Sequence, residues 1–277
     1  MSGVNLRYVA SSGNEYNLRS IALRTRRSTN FHDFQWTPVA VQLQFGARVS
    51  AFTRPPKVYD VTLSLIGTEE EKLALLEALH DDLELDVRNL TPGRLMWNDS
   101  YIECFVTSSN TAPDDSNFIV DNKVSFYCPH PFWIKEETRS FYASTSAAEE
   151  EFLDYEYDYE YDYYSGGSGS TAWRTGFPFE SDFHMVIYGP AANPGVVING
   201  HTYQVLDVLE ESEYLVIDSK AGTVTKTTAS GQQVNDFDLR NKEESVFDKL
   251  PPGELAISWP GTFGFDLTLY EERSEPR

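Results

Sequence analysis

Residues 59–83 read YDVTLSLIGTEEEKLALLEALHDDL, and within this stretch the apolar side chains change from a period of two to helical spacing. Apolar and polar residues alternate over 59–65, which is typical of a strand with one buried face. The apolar members are Tyr59, Val61, Leu63 and Leu65. The stretch therefore predicts a half-buried strand that leads directly into a helix.

The predicted helix begins after Thr68. Thr68 and Glu71 have the spacing of a capping box, in which each side chain binds the backbone N–H of the other residue. Glu69, Glu70 and Glu71 lie in the first turn, where the helix dipole stabilises negative charge. The apolar stripe consists of Leu75, Leu76, Leu79 and Leu83. We expect this stripe to lie on a sheet, and no other stretch predicts a helix as clearly.

Residues 37–56, TPVAVQLQFGARVSAFTRPP, predict a ribbon of two strands. The alternating apolar residues of the first strand are Val39, Val41, Leu43 and Phe45. Residues 46–48 are the predicted turn, and residues 49–52 return as the second strand. A two-stranded ribbon is marginal in water by itself, so it must join a sheet. That sheet belongs either to the same domain or to a neighbouring subunit, and the pattern favours neither alternative.

The second half of the chain predicts a β-meander from residue 183 onward. Three hairpins are expected, and their turns are Asn199 with Gly200, residues 220–222, and Pro260 with Gly261. After the third turn one face of a strand is formed by Phe263, Phe265, Leu267 and Leu269. Short strands separated by turn residues every eight to twelve positions are typical of a sandwich or jelly roll.

The charge of the chain excludes some classes of function. The 277 residues include 43 acidic and 22 basic side chains, a net charge of −21, which repels phosphate backbones and argues against nucleic-acid binding. No run of 18 apolar residues occurs, and the first ten residues do not resemble a signal peptide. We therefore expect a soluble protein made in the cytoplasm. Cys104 and Cys128 lie in apolar strand-like runs and are expected to be reduced core residues.

No motif in the sequence has the spacing of a catalytic, cofactor or metal site. The five histidines are scattered, and Cys128 and His130 have no second pair to complete a zinc site. The glycines form neither a phosphate-binding loop nor a nucleophile elbow. With 43 carboxylates, a pair at glycosidase separation is expected by chance. We therefore predict a protein that is not an enzyme, with no catalytic, cofactor-binding or metal-binding residues.

Residues 154–164, DYEYDYEYDYY, alternate carboxylate and phenol side chains. In an extended chain, neighbours on one face are about 6.5–7 Å apart, too far for adjacent carboxylates to chelate one calcium ion. The spacing also lacks the calcium-loop pattern. An extended strand or connector, with packed tyrosines and solvated carboxylates, is favoured over a metal site. The tyrosine row is also a candidate docking surface, since tyrosine is enriched at interfaces.

Taken in order, these segments resemble the distal tail protein (Dit) family of long-tailed (siphovirus) bacteriophages. The segments that carry the resemblance are RSIALRTRRSTNFHDFQWTP (19–38), the ribbon, the strand–helix unit from residue 61, PGRLMWNDSYIECFV (92–106), and VSFYCPHPFW (124–133) with its Pro131-Phe132-Trp133 ending. In the second half they are YGPAANPGVVINGHTYQV (188–205), EYLVIDS (213–219) and ESVFDKLPPGELAISW (244–259). The ordered set covers nearly the whole chain, although no single motif is diagnostic.

The resemblance implies a structural virion protein of the tail tip, or baseplate. Members of the family form hexameric rings below the tail tube, and ribbon-like arms reach the neighbouring subunit, which resolves the two alternatives for the ribbon in favour of the arm. The ring joins the tail tube to the hub and to tail-associated or receptor-binding proteins for host recognition. DNA passes through such a ring without specific binding, and neither a cofactor nor membrane insertion is implied. Assembly is expected in the host cytoplasm.

The expected fold is mainly β, with an α+β N-terminal domain. Residues 1–136 are predicted to form the ring-forming domain, a β-sandwich or split barrel with one helix and an arm at about 37–54. Residues 137–277 are predicted to form a galectin-like β-sandwich (jelly roll) that includes the Tyr/Asp-rich segment 149–175. The alternative function is a carbohydrate-binding module for adhesion to host-surface glycans. In that alternative Trp173 and Trp259 stack on sugars, although core packing is favoured for both.

Overall fold

The computed structural model describes residues 4–26, 29–113, 119–143 and 169–277. The chain divides into two compact units, one of residues 1–135 with 272–277 and one of residues 136–271. The described residues are mainly β, and their α-helical content is a single helix, so the predicted fold class is confirmed. Residues 272–277, which were predicted to belong to the second domain, group with the first unit.

The first unit contains one helix, α1 (Glu69–Arg88), and most of the longer strands. In chain order the strands are β1 (Leu6–Val9), β2 (Glu15–Asn17), β3 (Leu23–Thr25), β4 (Thr37–Gln42), β5 (Ala47–Thr53), β6 (Lys57–Ile66), β7 (Gly93–Trp97), β8 (Ser100–Pro113), β9 (Ile119–Cys128) and the start of β10 (Trp133–Phe141). Antiparallel pairing gives one sheet in the order β10-β8-β7-β1-β2 and a second in the order β8-β9-β6-β3.

Strand β8 belongs to both sheets of the first unit. Its residues 100–104 pair with β7, and its residues 105–113 pair with β9, with a register shift between Val106 and Ser108 within the second pairing. A bulge of this kind lets one strand bend from one sheet into the next. The inward-facing side chains form one buried cluster, to which the alternating residues of β6 contribute Tyr59, Val61, Leu63 and Leu65 as predicted.

Helix α1 covers this core as the sequence predicts. The Thr68 N–H donates to Glu71 Oε2 at 2.9 Å, and the Glu71 N–H donates to Thr68 Oγ1 at 3.3 Å, so the capping box is complete. Leu79 and Leu83 are buried in the core. The other two residues of the predicted stripe, Leu75 and Leu76, pack against it.

The second unit is built from two antiparallel sheets and a short pair of two-residue strands. Its strands are the end of β10, β11 (Gly169–Arg174), β12 (Asp182–Tyr188), β13 (Ala191–Ala192), β14 (Gly195–Ile198), β15 (His201–Gln204), β16 (Val208–Leu209), β17 (Tyr214–Asp218), β18 (Thr223–Thr227), β19 (Gln233–Asn235), β20 (Glu254–Trp259) and β21 (Phe265–Arg273). A short 3₁₀ helix spans Phe237–Leu239. The larger sheet has the order β19-β18-β17-β12-β21-β10, the smaller β11-β20-β14-β15, and β13 pairs β16. Their inward side chains form one core.

Two of the three predicted hairpins are confirmed. Strands β14 and β15 meet at Asn199 (φ 50°) and Gly200 (φ 85°), the positive angles that a tight primed turn requires. Strands β17 and β18 pair across residues 219–222. The third prediction is wrong, because β20 pairs with β11 and β14 whereas β21 pairs with β12. The turn at Pro260 and Gly261 therefore carries the chain from one sheet of the sandwich to the other.

Candidate assembly surface

The clearest candidate for a functional surface is the ribbon of β4 and β5. Among the strands of the described residues, these two pair with each other and with no other, and every residue in them is exposed. In the described part of its own unit the ribbon joins no sheet, which argues against the first of the two alternatives left open by the sequence. An isolated ribbon of this length is marginal in water, because its faces and its outer edges have no partner.

The tip of the ribbon lies three residues earlier than predicted. Strand β4 ends at Gln42, and the Leu43 N–H donates to the Gly46 carbonyl at 2.9 Å, so the turn spans 43–46 rather than 46–48. Gly46 has a φ of 78°, a conformation that glycine adopts without steric cost. Phe45 consequently sits at the tip and is 88% exposed, instead of continuing the strand face.

Both faces of the ribbon carry apolar side chains. Residues opposite each other in an antiparallel pair project to the same side. Val39 faces Ala51 and Val41 faces Arg48 on one side, and the pairs of Pro38 with Phe52 and Ala40 with Val49 are on the other. Val41 is 63% exposed and Phe52 is 60% exposed. A bulge between Val39 and Ala40 interrupts the register between these pairs.

The ribbon is also nearly free of charge, unlike the rest of the chain. Arg48 is the single charged residue in 37–53, although 23% of the whole sequence is charged. Depletion of charge combined with exposed aromatic and aliphatic side chains is the composition of a buried interface core. The two outer edges add unpaired backbone N–H and C=O groups, which can extend the sheet of a partner by strand addition.

The root of the ribbon is held by a cluster of side chains in the first unit. The Arg54 guanidinium lies over the Phe132 ring at 4.7 Å and over the Trp36 ring at 5.6 Å. It also donates to Ser274 Oγ at 2.9 Å and to the Ser274 carbonyl at 3.2 Å. Burial lowers the pKa of Arg54, but a guanidinium remains charged at neutral pH. The cluster fixes both ends of the ribbon, because Trp36 precedes β4 and Arg54 follows β5.

The cysteines and tryptophans singled out in the sequence belong to the cores or pack against them. Cys104 and Cys128 are free and buried, and burial raises the pKa of the Cys104 thiol. Trp173 is 5% exposed, and Trp259 packs against the same core while its indole N–H donates to the Phe263 carbonyl at 3.1 Å. The tryptophans therefore pack in the core as favoured. The repeat 154–164 lies outside the described residues.

Two sites went unrecognised in the sequence. His80 on α1 lies 2.7 Å from Ser109 Oγ and 3.1 Å from Asn122 Nδ2, which ties the helix to β8 and β9. Asp82 and Asp86, on the same helix, are buried carboxylates that bind the β1–β2 hairpin. Helical spacing from Leu79 and Leu83 places both aspartates near the buried face, but charge alone argues for exposure.

The described parts of the chain contain no group of three or more histidine, cysteine, aspartate or glutamate side chains placed to hold a metal ion. Over the same residues, no helix is both long and apolar enough to cross a membrane.

Comparison with known proteins shows the fold. The crystal structure of SPP1 Dit (gp 19.1), described as a paradigm of the hub adsorption apparatus in phages that infect Gram-positive hosts, is similar over 98% of this chain and 100% of its own, with a TM-score of 0.59 and 12% identity. A chain of the phage P2 baseplate in its activated conformation with Ca is similar over 99% and 100%, with a TM-score of 0.68 and 12% identity.

The corresponding baseplate structure with Sr gives a TM-score of 0.67 at 14% identity, again over 99% of this chain and 100% of the other. No family model and no curated protein matches the sequence. The predicted resemblance to Dit proteins is thus confirmed for the fold, and it extends over both units of the chain.

Proposed function

We propose that this protein is a structural component of a phage tail tip, in which six copies form a ring that joins the tail tube to the tip. The ribbon of β4 and β5 is the observation that carries this proposal. It is an exposed, nearly uncharged element with apolar side chains on both faces, and it pairs with no other described strand of its own chain. A second copy supplies the missing partner, because a head-to-tail interface repeated around a rotation axis closes into a ring.

The fold comparison supports the same assignment. The similar solved chains are described as a hub adsorption protein and as parts of a phage baseplate. Each is covered completely by this chain. The proposed partners are therefore further copies of this chain, the tail tube protein, and the hub or receptor-binding proteins of the tip. The proposed location is the virion tail tip, with assembly in the host cytoplasm.

The net charge of −21 fits a conduit for DNA better than a DNA-binding protein. A surface of the same sign as the phosphate backbone does not retain DNA by electrostatic attraction. We propose that the protein has no enzymatic role. No specific observation favours the glycan-binding alternative, because core packing occupies the two tryptophans that it requires.

The proposal is tested by removing apolar surface from the ribbon without disturbing a core. The ribbon variant combines Val41→Asn with Phe45→Ser, both at exposed positions. The control variant is Leu73→Gln on α1, a leucine that is 56% exposed and lies outside the ribbon. Light scattering after size exclusion measures the mass of each protein over a range of concentrations, and circular dichroism checks that the fold is retained.

We expect the wild type and the control to form a species of six copies at high concentration, with an open centre in negative-stain images. The folded ribbon variant is expected to remain monomeric. If the ribbon variant forms the six-copy species at the same concentration as the wild type, the ribbon is not needed for assembly. A wild type that is monomeric at every concentration overturns the ring itself.

A further inference from the structure

The first unit contains a cavity of about 690 Å³ whose wall carries arginine side chains. Arg19, Arg24 and Arg26 line it, in a chain where acidic residues outnumber basic ones by 43 to 22. Arg19 and Arg24 are exposed to solvent. The cavity is therefore a local concentration of positive charge on a strongly negative protein.

Two of these arginines face each other without a compensating carboxylate among the described residues. A β-bridge between Arg19 and Arg24 places their backbones directly opposite, and like charges in that position are destabilising. Arg26 is different, since its guanidinium lies 2.6 Å from Asp121 Oδ2 and donates to Ser64 Oγ at 3.2 Å. Among the described residues, neither Arg19 nor Arg24 has an acidic partner at salt-bridge distance. An anionic ligand bound between these two cations would reduce their repulsion.

Beside the arginines, the cavity wall has an apolar and aromatic part, formed by Leu6, Ile21, Phe31, Ile66 and Trp97, and a smaller set of hydroxyl side chains, Ser20, Thr25 and Thr29. The Arg19 guanidinium lies 5.7 Å from the centre of the Trp97 ring, which itself packs against Phe31 at 5.4 Å. Ile21 lines the cavity with a side chain that is 89% exposed. Arginine beside tryptophan binds a planar carboxylate through its donors and an aromatic ring through stacking. The cavity therefore fits a ligand with both kinds of group, rather than a bare anion.

We propose that this cavity binds an acidic, tyrosine-containing peptide, and that the peptide is the segment 149–164 of a second copy of this chain. That segment reads EEEFLDYEYDYEYDYY and contains eight acidic residues, six tyrosines and no basic residue. It lies outside the described residues. The carboxylates of the segment complement the arginines of the cavity wall, and its tyrosines complement the aromatic and apolar side chains beside them.

The choice of a second copy rests on the proposed function. In a ring, neighbouring copies stand close together, so a weak contact acts at a high effective concentration and adds to the contact made by the ribbon. Neutralising opposed charges also lowers the mutual repulsion of subunits that each carry −21.

The chemistry of the cavity is tested on the full-length chain with a fluorescent peptide of residues 149–164. Fluorescence anisotropy measures binding to the wild type, to the cavity variant Arg19→Gln with Arg24→Gln, and to a control variant Arg174→Gln with Lys242→Gln. The control removes the same two charges from the second unit. A peptide with Asn and Gln in place of Asp and Glu, and a short DNA duplex, serve as competing ligands.

We expect saturable binding to the wild type and the control, about tenfold weaker binding to the cavity variant, and weakening with salt. The neutral peptide and the DNA should bind no better to the wild type than to the cavity variant. Equal affinity of the acidic peptide for the cavity variant and the control would show general attraction of charge and overturn the site. Preference for DNA over the peptide would also overturn it.

The source of the peptide is tested by the concentration at which the chain associates. The segment variant carries Glu156→Gln, Asp158→Asn and Glu160→Gln. If cavity and segment meet between copies, each variant raises the association midpoint, and the combined variant raises it no further than either one, which is the signature of a shared contact. Additive effects, or no effect, exclude the second copy as the source. A monomeric wild type that still binds the peptide would reject the ring and the second copy, and leave the cavity as a site for another protein's acidic segment.

Discussion

At the scale of single residues, two buried aspartates on α1 organise the start of the chain. Tyr8 donates to Asp86 and Tyr16 donates to Asp82, while Asp82 also accepts from Ser12 at 2.7 Å and from Asn14 at 3.0 Å. Burial raises the pKa of both tyrosines, and their hydrogen bonds to the aspartates act in the same direction. The tyrosines therefore remain hydrogen-bond donors throughout the neutral range.

Replacing Asp82 by Asn is expected to lower the free energy of unfolding by about 1–3 kcal/mol, because the amide removes the charge that strengthens these hydrogen bonds and directs an N–H toward a donor. Urea unfolding followed by circular dichroism measures the change. Asp81→Asn is the matched control, since Asp81 is the exposed neighbour in the same helix. An equal loss in both variants would contradict a specific role for Asp82.

The hydrogen bonds to Asp82 also predict that the free energy of unfolding depends on pH. Burial raises the pKa of Asp82, but the hydrogen bonds from Tyr16, Asn14 and Ser12 outweigh it, so the pKa is lowered in the folded protein. A carboxylate with a lowered folded pKa stabilises the fold above its unfolded pKa of about 3.9 and loses this effect as the pH falls through the folded value. The difference in unfolding free energy between wild type and Asp82→Asn should therefore shrink as the pH falls below the unfolded pKa and through the lower folded one. A constant difference would contradict the shift.

At the scale of elements, the ribbon is independent of the sheets but not of the unit that carries it. Its strands share no hydrogen bond with another described strand, so its orientation depends on side chains at its root. Arg54 is central there, because one guanidinium combines two ring contacts with two hydrogen bonds to Ser274. A lysine has the charge but neither the planar stacking surface nor the forked donors.

We therefore expect Arg54→Lys to lower the free energy of unfolding by about 1–2 kcal/mol, from the lost stacking and hydrogen bonds. Denaturant unfolding at low protein concentration measures this without a contribution from assembly. Arg48→Lys, the same change on the ribbon itself, should alter stability by less than about 0.5 kcal/mol because Arg48 is exposed. If the two variants behave alike, the root cluster is not what holds the ribbon.

The third predicted hairpin shows where local patterns stop being informative. Pro260 and Gly261 are turn residues in the sequence and in the structure, and Phe265, Leu267 and Leu269 share one buried face as predicted. The flanking strands nevertheless lie in different sheets. A connection between the two layers of a sandwich uses the same turn residues as a hairpin, so the dipeptide does not distinguish them.

At the scale of the whole molecule, the chain's last six residues return to the first unit. Glu272 lies 2.7 Å from His130 Nε2, Ser274 binds Arg54, and the Arg277 carbonyl accepts a 3.4 Å hydrogen bond from Ser100. These contacts connect the C-terminus to the end of β9, to the ribbon root and to β8. A segment at one end of the chain can therefore stabilise the unit formed by the other end.

Truncation after Glu271 is expected to destabilise the first unit by about 1–3 kcal/mol, which corresponds to a few degrees in its unfolding temperature. The rate of labelling of Cys104 and Cys128 with a thiol reagent reports this unit specifically, since both buried thiols belong to its core. The truncated chain should become reactive at a lower temperature than the wild type. Removal of Arg277 alone is the control and should shift the labelling far less. Identical labelling curves for the truncated and wild-type chains would contradict this role of the C-terminus.

The sequence by itself determined the class of fold, the capped helix and its apolar stripe, the buried faces of the strands, two of the three hairpins, and the scarcity of charge in the ribbon. These are local properties, fixed by side-chain periodicity and turn chemistry over fewer than about 20 residues. Only the tertiary structure decided which sheet β20 and β21 join, that the ribbon pairs with no other described strand, that Asp82 and Asp86 are buried, and that Arg19 and Arg24 face each other. Backbone ladders are chemically alike in every strand, so a local pattern shows which face is buried but not which strand, or which distant side chain, lies opposite.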